Sequence, residues 1–272
     1  MRSPTLVSVI IPTLNEGKAL PICLRSIDAQ SYEHMEVIVV DSGSRDGTRE
    51  AASEAGATIV DYPGRPLGAR YEGLLRSKGE LVLLLDADQV LFDETVQRAI
   101  AAIEGLDMLA LEESSYRPHG FLQDSISRQR AALQRSSDRG ELPPHCYPRL
   151  YRRHILEGAI NDLPKETLGK VFAFDDRVLY AKARARSSKV GFLSKGVMHM
   201  EESSWRGLMR HAYRQGRSAR DLDSLGLGVE ASSPESTFEL FKRAARNRYL
   251  TYALVKELSF RMGRALGRSA AV

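Results

Sequence analysis

Gly79–Asp88 reads GELVLLLDAD: five apolar residues, Leu81–Leu85, stop at two carboxylates with a single methyl group between them. An apolar run of strand length, bounded by Gly and Asp, suits a strand buried on both faces, as parallel sheets require. Val37–Thr48, VIVVDSGSRDGT, has the same form upstream, and Val7–Glu16, VSVIIPTLNE, has it again. Candidate strands fall at Leu6–Ile11, Met35–Val40, Ala57–Asp61, Leu81–Leu85 and Leu106–Leu111, each followed by a turn with Gly, Asn or Asp and then a helical stretch. Asp46 and Asp93 stand where N-caps belong, and Gly56 and Gly79 where helices stop. This alternation predicts an α/β fold with a doubly wound, mostly parallel sheet and helices on both faces. Such sheets bind ligands beyond the carboxyl ends of their strands.

With 272 residues and 43% hydrophobic content, the chain can bury a substantial core. Its net charge of +4 hides an asymmetry: residues 1–112 carry 10 basic and 18 acidic groups, residues 113–272 carry 29 and 17. A basic half fits nucleic acid, an anionic membrane or a phosphorylated substrate, so the motifs must decide. Cys23 and Cys146 stand far apart, outside any C-x-x-C or Cys/His cluster, which suits core thiols in a reducing cytoplasm rather than zinc or disulfides. The first apolar stretch is too short for a signal peptide, and no apolar run approaches the roughly 20 residues that span a bilayer. A soluble or peripheral chain is expected. Beyond residue 112 the alternation loosens into a helix near 121–136, a loop around Pro143 and Pro144, a helix near 176–187, a strand near Val190–Met200 and helices to the end.

Three polar clusters fall where candidate strands end: Pro12, Thr13, Asn15 and Glu16; Asp41 to Thr48; and Asp86 to Asp88. A parallel sheet brings them to one edge. Asp41 follows four apolar residues, so its carboxylate is expected to emerge at the strand tip and accept hydrogen bonds from a nucleobase or ribose, with Ser42 and its small neighbours leaving room for a flat ring. The plainer alternative is that Asp41 and Ser42 begin a turn. Asp86-Ala87-Asp88 offers two carboxylates to a hard cation, and Mg²⁺ typically takes one or two carboxylates plus phosphate oxygens of its substrate. A Mg²⁺– or Mn²⁺–diphosphate clamp is expected there. The competing account is that these acids only cap the next helix.

VSVIIPTLNE, VIVVDSGSRDGT and GELVLLLDAD, in that order and spacing, resemble the family 2 glycosyltransferases of the GT-A fold over residues 6–100. The resemblance implies that Pro12, Thr13 and Glu16 line a nucleotide pocket, that Asp41 contacts the base, and that Asp86 and Asp88 hold ribose and metal-bound diphosphate. Arg70 and Gly73 resemble the family's A-R-N-x-G segment near the donor, with Tyr71 in place of Asn. Asp175-Asp176-Arg177-Val178-Leu179 resembles its E-D-x-x-L element, which makes Asp176 the base for an acceptor hydroxyl, with Asp175 in place of Glu. A sugar hydroxyl is a poor nucleophile, so the chemistry needs such a base; helix-dipole acids are the competing account. His199 resembles a His that reaches diphosphate or metal in relatives, although a His at a strand end is often only structural. Arg149, Tyr151 and Arg152 match a phosphate-binding segment of some relatives or else form solvated surface. Arg210, Tyr213 and Arg214 either close over donor phosphates or are helix-surface charge.

The implied activity is metal-dependent transfer, with inversion, of a sugar from a nucleotide-sugar, UDP favoured, to a saccharide, lipid-linked or small-molecule acceptor. Residues 1–112 would bind the donor, 113–233 would supply the acceptor site and base, and 234–272 would form a C-terminal helical extension. The alternatives are a nucleotide-sugar-binding protein without turnover and a retaining transferase of the same fold. No G-x-G-x-x-G or G-x-x-x-x-G-K-[ST] occurs, which removes Rossmann and P-loop readings, and no aromatic-rich recognition motif supports nucleic acid. Pro234–Arg268 reads as one long or once-broken helix with basic residues on one side and Phe241, Tyr252, Val255, Leu258, Met262 and Leu266 on the other, Leu250 and Leu254 falling on the basic side. That stripe either packs on the catalytic domain or a second subunit of a homodimer, or lies at the inner face of the membrane.

Overall fold

The computed structural model describes residues 4–134, 142, 146–227 and 237–266. The acidic half alternates as expected: β1 (Val7–Thr13), α1 (Leu20–Asp28), β2 (Met35–Asp41), α2 (Thr48–Glu54), β3 (Thr58–Asp61), α3 (Pro66–Arg76), β4 (Leu81–Leu84), the short β5 (Gln89–Leu91), α4 (Thr95–Ala102) and β6 (Met108–Ser115). There follow α5 (Gly120–Gln134), β7 (Pro148–Arg152), α6 (Arg153–Asn161), α7 (Lys165–Lys170), α8 (Asp175–Arg186), β8 (Val190–His199), α9 (Trp205–Ser224), α10 (Thr237–Arg246) and α11 (Leu250–Leu266).

All eight strands form one sheet, ordered β3-β2-β1-β4-β7-β6-β8-β5. The first four are parallel, whereas β7 runs antiparallel to both β4 and β6, and β5 antiparallel to β8. The parallel half is what the sequence announced. Residues 112 and 113 are neighbours within β6, so the change in charge along the chain does not coincide with a break in the sheet.

Alternation along the strands explains why their apolar runs are continuous. Val9, Ile11, Leu83 and Leu85 pack with α1 and α4 on one face, while Ile10, Val40, Val82 and Leu84 pack with α3, α6 and α8 on the other. Helix α3 approaches β1 through Gly73, where any Cβ would run into the Ile10 side chain. A third core joins α5, α9, α10 and α11 through Leu122, Ile126, Leu208, Ala244, Tyr249 and Tyr252.

Several local expectations change. Helix α2 starts from Gly47 at φ 83°, not from an Asp46 cap, and α4 starts from Glu94 at φ 60°, one residue past Asp93. Gly56 does follow α2, at φ 69°. Helix α3 ends short of Gly79, whose N–H goes instead to Ser8 Oγ at 2.8 Å. Cys23 is buried and Cys146 half-buried, both as free thiols. The C-terminal segment is once broken, at Arg248 with φ 60°; Pro234 and Arg268, and the Phe241 side chain, lie outside what is described.

Candidate active site

The ends of β1, β2 and β4 meet at one edge because β1 pairs in register with both neighbours, Thr13 lying opposite Asp41 and Pro12 opposite Val40. Asp41 does not emerge there. It is buried, and its carboxylate accepts from the Ser44 hydroxyl (2.5 Å), the Ser44 N–H (3.1 Å), Thr13 Oγ1 (3.2 Å) and Arg49 Nη1 (3.2 Å). Burial alone would raise its pKa, but these donors outweigh burial and hold it below the ordinary value. Its acceptor sites thus fold the loop that follows β2. Asn15, at φ 58°, pins the same loop, its N–H donating to Ser44 Oγ and its Oδ1 accepting from Arg45 N–H; Ser42 N–H donates to Thr13 O at 2.9 Å.

Asp86 and Asp88 sit on the tight turn from β4 into β5, with the Asp86 N–H capped by Gln89 Oε1 at 3.0 Å and the Ala87 methyl turned down into the core. Strand β5, unforeseen from sequence, does the positioning. It lays Gln89 opposite His199 on β8, and Met200 N–H donates to Asp88 O at 2.8 Å, so His199 Nε2 comes within 3.4 Å of Asp88 Oδ2. The two carboxylates, each a little over a third exposed, have different partners. Asp86 is gripped by Arg70 Nη2 at 2.5 Å and Arg149 Nη1 at 3.2 Å; against the effect of burial, Arg70, Arg149 and His199 hold its pKa far down. Asp88 has its pKa raised, by burial and by Asp86, and its Oδ1 is buried without a hydrogen-bond partner among the described residues. Glu16 faces the same acids, and burial together with Asp88, Asp46 and Asp86 lifts it to about 7.

A cation fits this arrangement, with Asp88 and His199 better placed to ligate it than Asp86. Asp86 is engaged by arginines, which leaves Asp88, whose Oδ1 has no hydrogen-bond partner among the described residues, beside His199 Nε2 as the pair able to take up a metal. No group of three His, Cys, Asp or Glu side chains arranged to hold a metal occurs among the described residues. Two protein ligands, with the remaining positions filled by donor phosphates, is the coordination habit of Mg²⁺ and Mn²⁺ in nucleotide sites.

Behind the ligands the charges alternate around a ring. From Asp86 it runs to Arg149, then to Glu113 (2.5 Å), Arg130 (2.7 Å) and Glu201 (2.6 Å), whose other oxygen is 3.7 Å from His199 Nδ1. Nδ1 also lies 3.1 Å from Met200 O, and the tautomer that carries its proton there is the one whose Nε2 lone pair could meet a metal beside Asp88. Arg149 and Arg130 pull Glu113 down to about 2 against the effect of burial. Arg149 and Tyr151 are therefore not solvated surface: Arg149 is buried in the ring, Tyr151 in the core, and Arg152 donates to Leu106 O.

Arg70, 3% exposed, also donates from Nε to Asp175 Oδ2 at 2.5 Å. It ties the start of α8 to the Asp86 turn and has no free fork to offer a donor. Asp176 is the unengaged member of the acidic pair, its Oδ1 accepting from Arg177 N–H at 2.8 Å. Burial, then Asp175, raises its pKa to about 6 despite Arg149 and Arg177. Arg214 lies over the Phe172 ring at 5.3 Å, with Arg65 over the same ring at 5.7 Å, while Arg210 is exposed.

A family model described as glycosyl transferase family 2 matches residues 8–158. The chain belongs to glycosyl transferase family 2. A relative from Aeromonas hydrophila, an undecaprenyl-phosphate 4-deoxy-4-formamido-L-arabinose transferase, is 31% identical over 72% of this chain and 64% of its own length. One of the same description from Klebsiella pneumoniae is 30% identical over 69% of this chain and 63% of its own. The chain thus spans somewhat less than two thirds of these relatives. In structure it resembles TarS 1–349 of S. aureus, with TM-score 0.58 and 19% identity over 98% of this chain and 75% of that one. It also resembles glucosyl-3-phosphoglycerate synthase of Mycobacterium tuberculosis, solved with Mn²⁺, UDP and glucosyl-3-phosphoglycerate, with TM-score 0.56 and 21% identity over 82% and 81%. Both likenesses show the GT-A fold.

Within this family 2 chain, the residues that sequence reasoning missed are Glu113, Arg130 and Glu201. Glu113 stands in β6 as one of several acids after an apolar run, and Arg130 as one of many arginines in α5. Their pairing is long-range, and no local spacing reveals it.

Proposed function

We propose that this chain transfers a glycosyl group from a UDP-sugar, held with Mg²⁺ or Mn²⁺, to a hydroxyl of a lipid-linked acceptor. The observation that carries the reading is the contrast within two acidic pairs that Arg70 joins: Asp86 and Asp175 are both locked by Arg70, whereas Asp88, beside His199, and Asp176 have no guanidinium partner among the described residues. Asp88 and His199 would hold the metal, which supplies charge neutralisation for the departing diphosphate. Asp176 takes the acceptor proton, and a pKa near 6 leaves it ionised yet basic at neutral pH. With Asp175 committed to Arg70, Asp176 is the one carboxylate of the pair left for this role, which favours a single displacement and hence inversion. Glu16, Pro12 and Thr13 border the same edge of the sheet and are assigned to the nucleotide. The donor preference and the lipid acceptor draw on the UDP-bound structural relative and on the relatives' names.

Those names support a second reading, in which the acceptor atom is a phosphate oxygen. A phosphate is already anionic at neutral pH and has little need of a base. One experiment tests both: transfer by wild type and Asp176→Asn to a prenyl phosphate and to a prenyl-linked sugar, with the anomeric configuration of the product read by NMR. Loss of about 10² or more with the hydroxyl acceptor supports the first reading. A loss below tenfold on the phosphate, with no turnover of the hydroxyl, supports the second. No transfer from any nucleotide-sugar to either acceptor would overturn both.

A further inference from the structure

Helix α11 meets α9 through small residues and leaves a row of large apolar ones outside. Toward α9 it presents Ala253 and Gly263; a Cβ on Gly263 would collide with Tyr213 O, and one on Gly216 with Phe260 O. The two backbones therefore lie against each other, and side chains of the opposite face are left outside. Those are Leu250, Leu254, Leu258, Met262 and Leu266, spaced four apart and exposed by 38–68%. Tyr252 of the expected apolar stripe packs inward, its hydroxyl donating to Gln129 Oε1 at 2.9 Å, whereas Leu258, Met262 and Leu266 do not. Leu254, Leu258 and Met262, within about 80° of one another, form the centre of this exposed row and mark a binding surface.

Charge selects the occupant. Residues 237–266 contain seven basic and two acidic side chains, with Arg246 and Arg248 exposed at the head of the stripe and Arg261 and Arg264 exposed beside it. A second copy related by a two-fold axis would bring like charge against like. An anionic lipid surface offers the complement, with acyl chains for the leucines and headgroups for the arginines. No helix among the described residues is long and apolar enough to cross a membrane, so contact would be in the interface plane.

We propose that the outward face of α11 docks on an anionic bilayer, seating Leu254, Leu258 and Met262 among the acyl chains. Its purpose rests on the lipid-linked acceptor proposed above; its physical basis does not. The surface is braced to the site through α5, where Arg128 Nη1 donates to Arg248 O at 3.2 Å and Arg130 belongs to the charge ring, and through α9, which starts just after Glu201.

The test is co-sedimentation of the full chain with phosphatidylglycerol-containing and pure phosphatidylcholine vesicles, comparing wild type with Leu258→Ser/Met262→Ser and with Arg246→Glu/Arg248→Glu. Both residue pairs are exposed, so thermal melts and UDP binding serve as folding controls. Expected are binding of wild type to the anionic vesicles alone, weakened by salt, and a fall of about tenfold or more in partitioning for each double variant. Absence of wild-type binding, equal binding by the variants, or a dimer in sedimentation that the serine variant dissociates would overturn the proposal. Vesicle binding without transfer to any lipid acceptor would support the surface and sink the acceptor reading; transfer to a short soluble acceptor without vesicle binding would do the reverse.

Discussion

Asp175 and Asp176 adjoin in sequence and differ in every physical respect that matters. Asp175 is locked to buried Arg70, so Asp175→Asn should lower stability by up to about 3 kcal/mol in urea denaturation, since Arg70 would keep only Asp86. Asp176→Asn should do the opposite at neutral pH. Its folded pKa of about 6 exceeds the 3.8 of an ordinary Asp, so the stabilisation linked to its proton is full below pH 4 and lost as pH rises through 6. The variant should therefore melt at a higher temperature than wild type at pH 7.5, with the difference shrinking toward pH 4, while hydroxyl transfer falls by about 10². A lower melting temperature at pH 7.5 would contradict this. In wild type, hydroxyl transfer should drop as pH falls through about 6, because the base must be ionised. At His199 the orienting group is Glu201: Glu201→Gln should weaken Mn²⁺ binding, read by EPR, by about tenfold or more, as losses behind metal ligands commonly do.

At the scale of elements, the sequence made the parallel strands plain because each is buried on both faces and so reads as an unbroken apolar run. It hid β5 and β7. Gln89–Leu91 is too short to show a period, and Pro148–Arg152 carries two arginines whose buried partners, Asp86 and Glu113 for Arg149 and the backbone for Arg152, lie far away in the chain. The same limit explains the site. Asp86, Asp88, Asp176 and His199 were legible because they stand at strand and helix ends, but the arginines that set Asp86 and Asp175 apart from their neighbours became visible only in the fold. For the C-terminal helices, periodicity found the amphipathic segment and left open whether its apolar side packs; Tyr252 and Val255 pack while Leu258, Met262 and Leu266 are exposed, because two glycines bring α11 against α9 backbone to backbone. Gly263→Val should accordingly destabilise by about 1–3 kcal/mol in urea and open α11 to proteolysis, leaving UDP binding intact.

Over the whole molecule, acid predominates in the first half and base in the second, a distribution that suits the cation and diphosphate proposed above. UDP with Mn²⁺ at about a hundredfold over Kd should stabilise the chain by roughly 2.7 kcal/mol, and excess EDTA should abolish the effect. Asp88→Ala and His199→Ala should mimic EDTA without lowering the unliganded melting temperature much. Asp86→Ala should lower it outright, since two buried guanidiniums each lose one of their carboxylate partners. Strand β7 joins the two halves physically, lying between β4 and β6 although both precede it in the chain. On the ribosome, Leu81–Leu84 therefore emerges with one apolar strand edge open and must wait for Pro148–Arg152 to be made before that edge can close. An unpaired edge of this kind is a general aggregation hazard, and here it is exposed during synthesis.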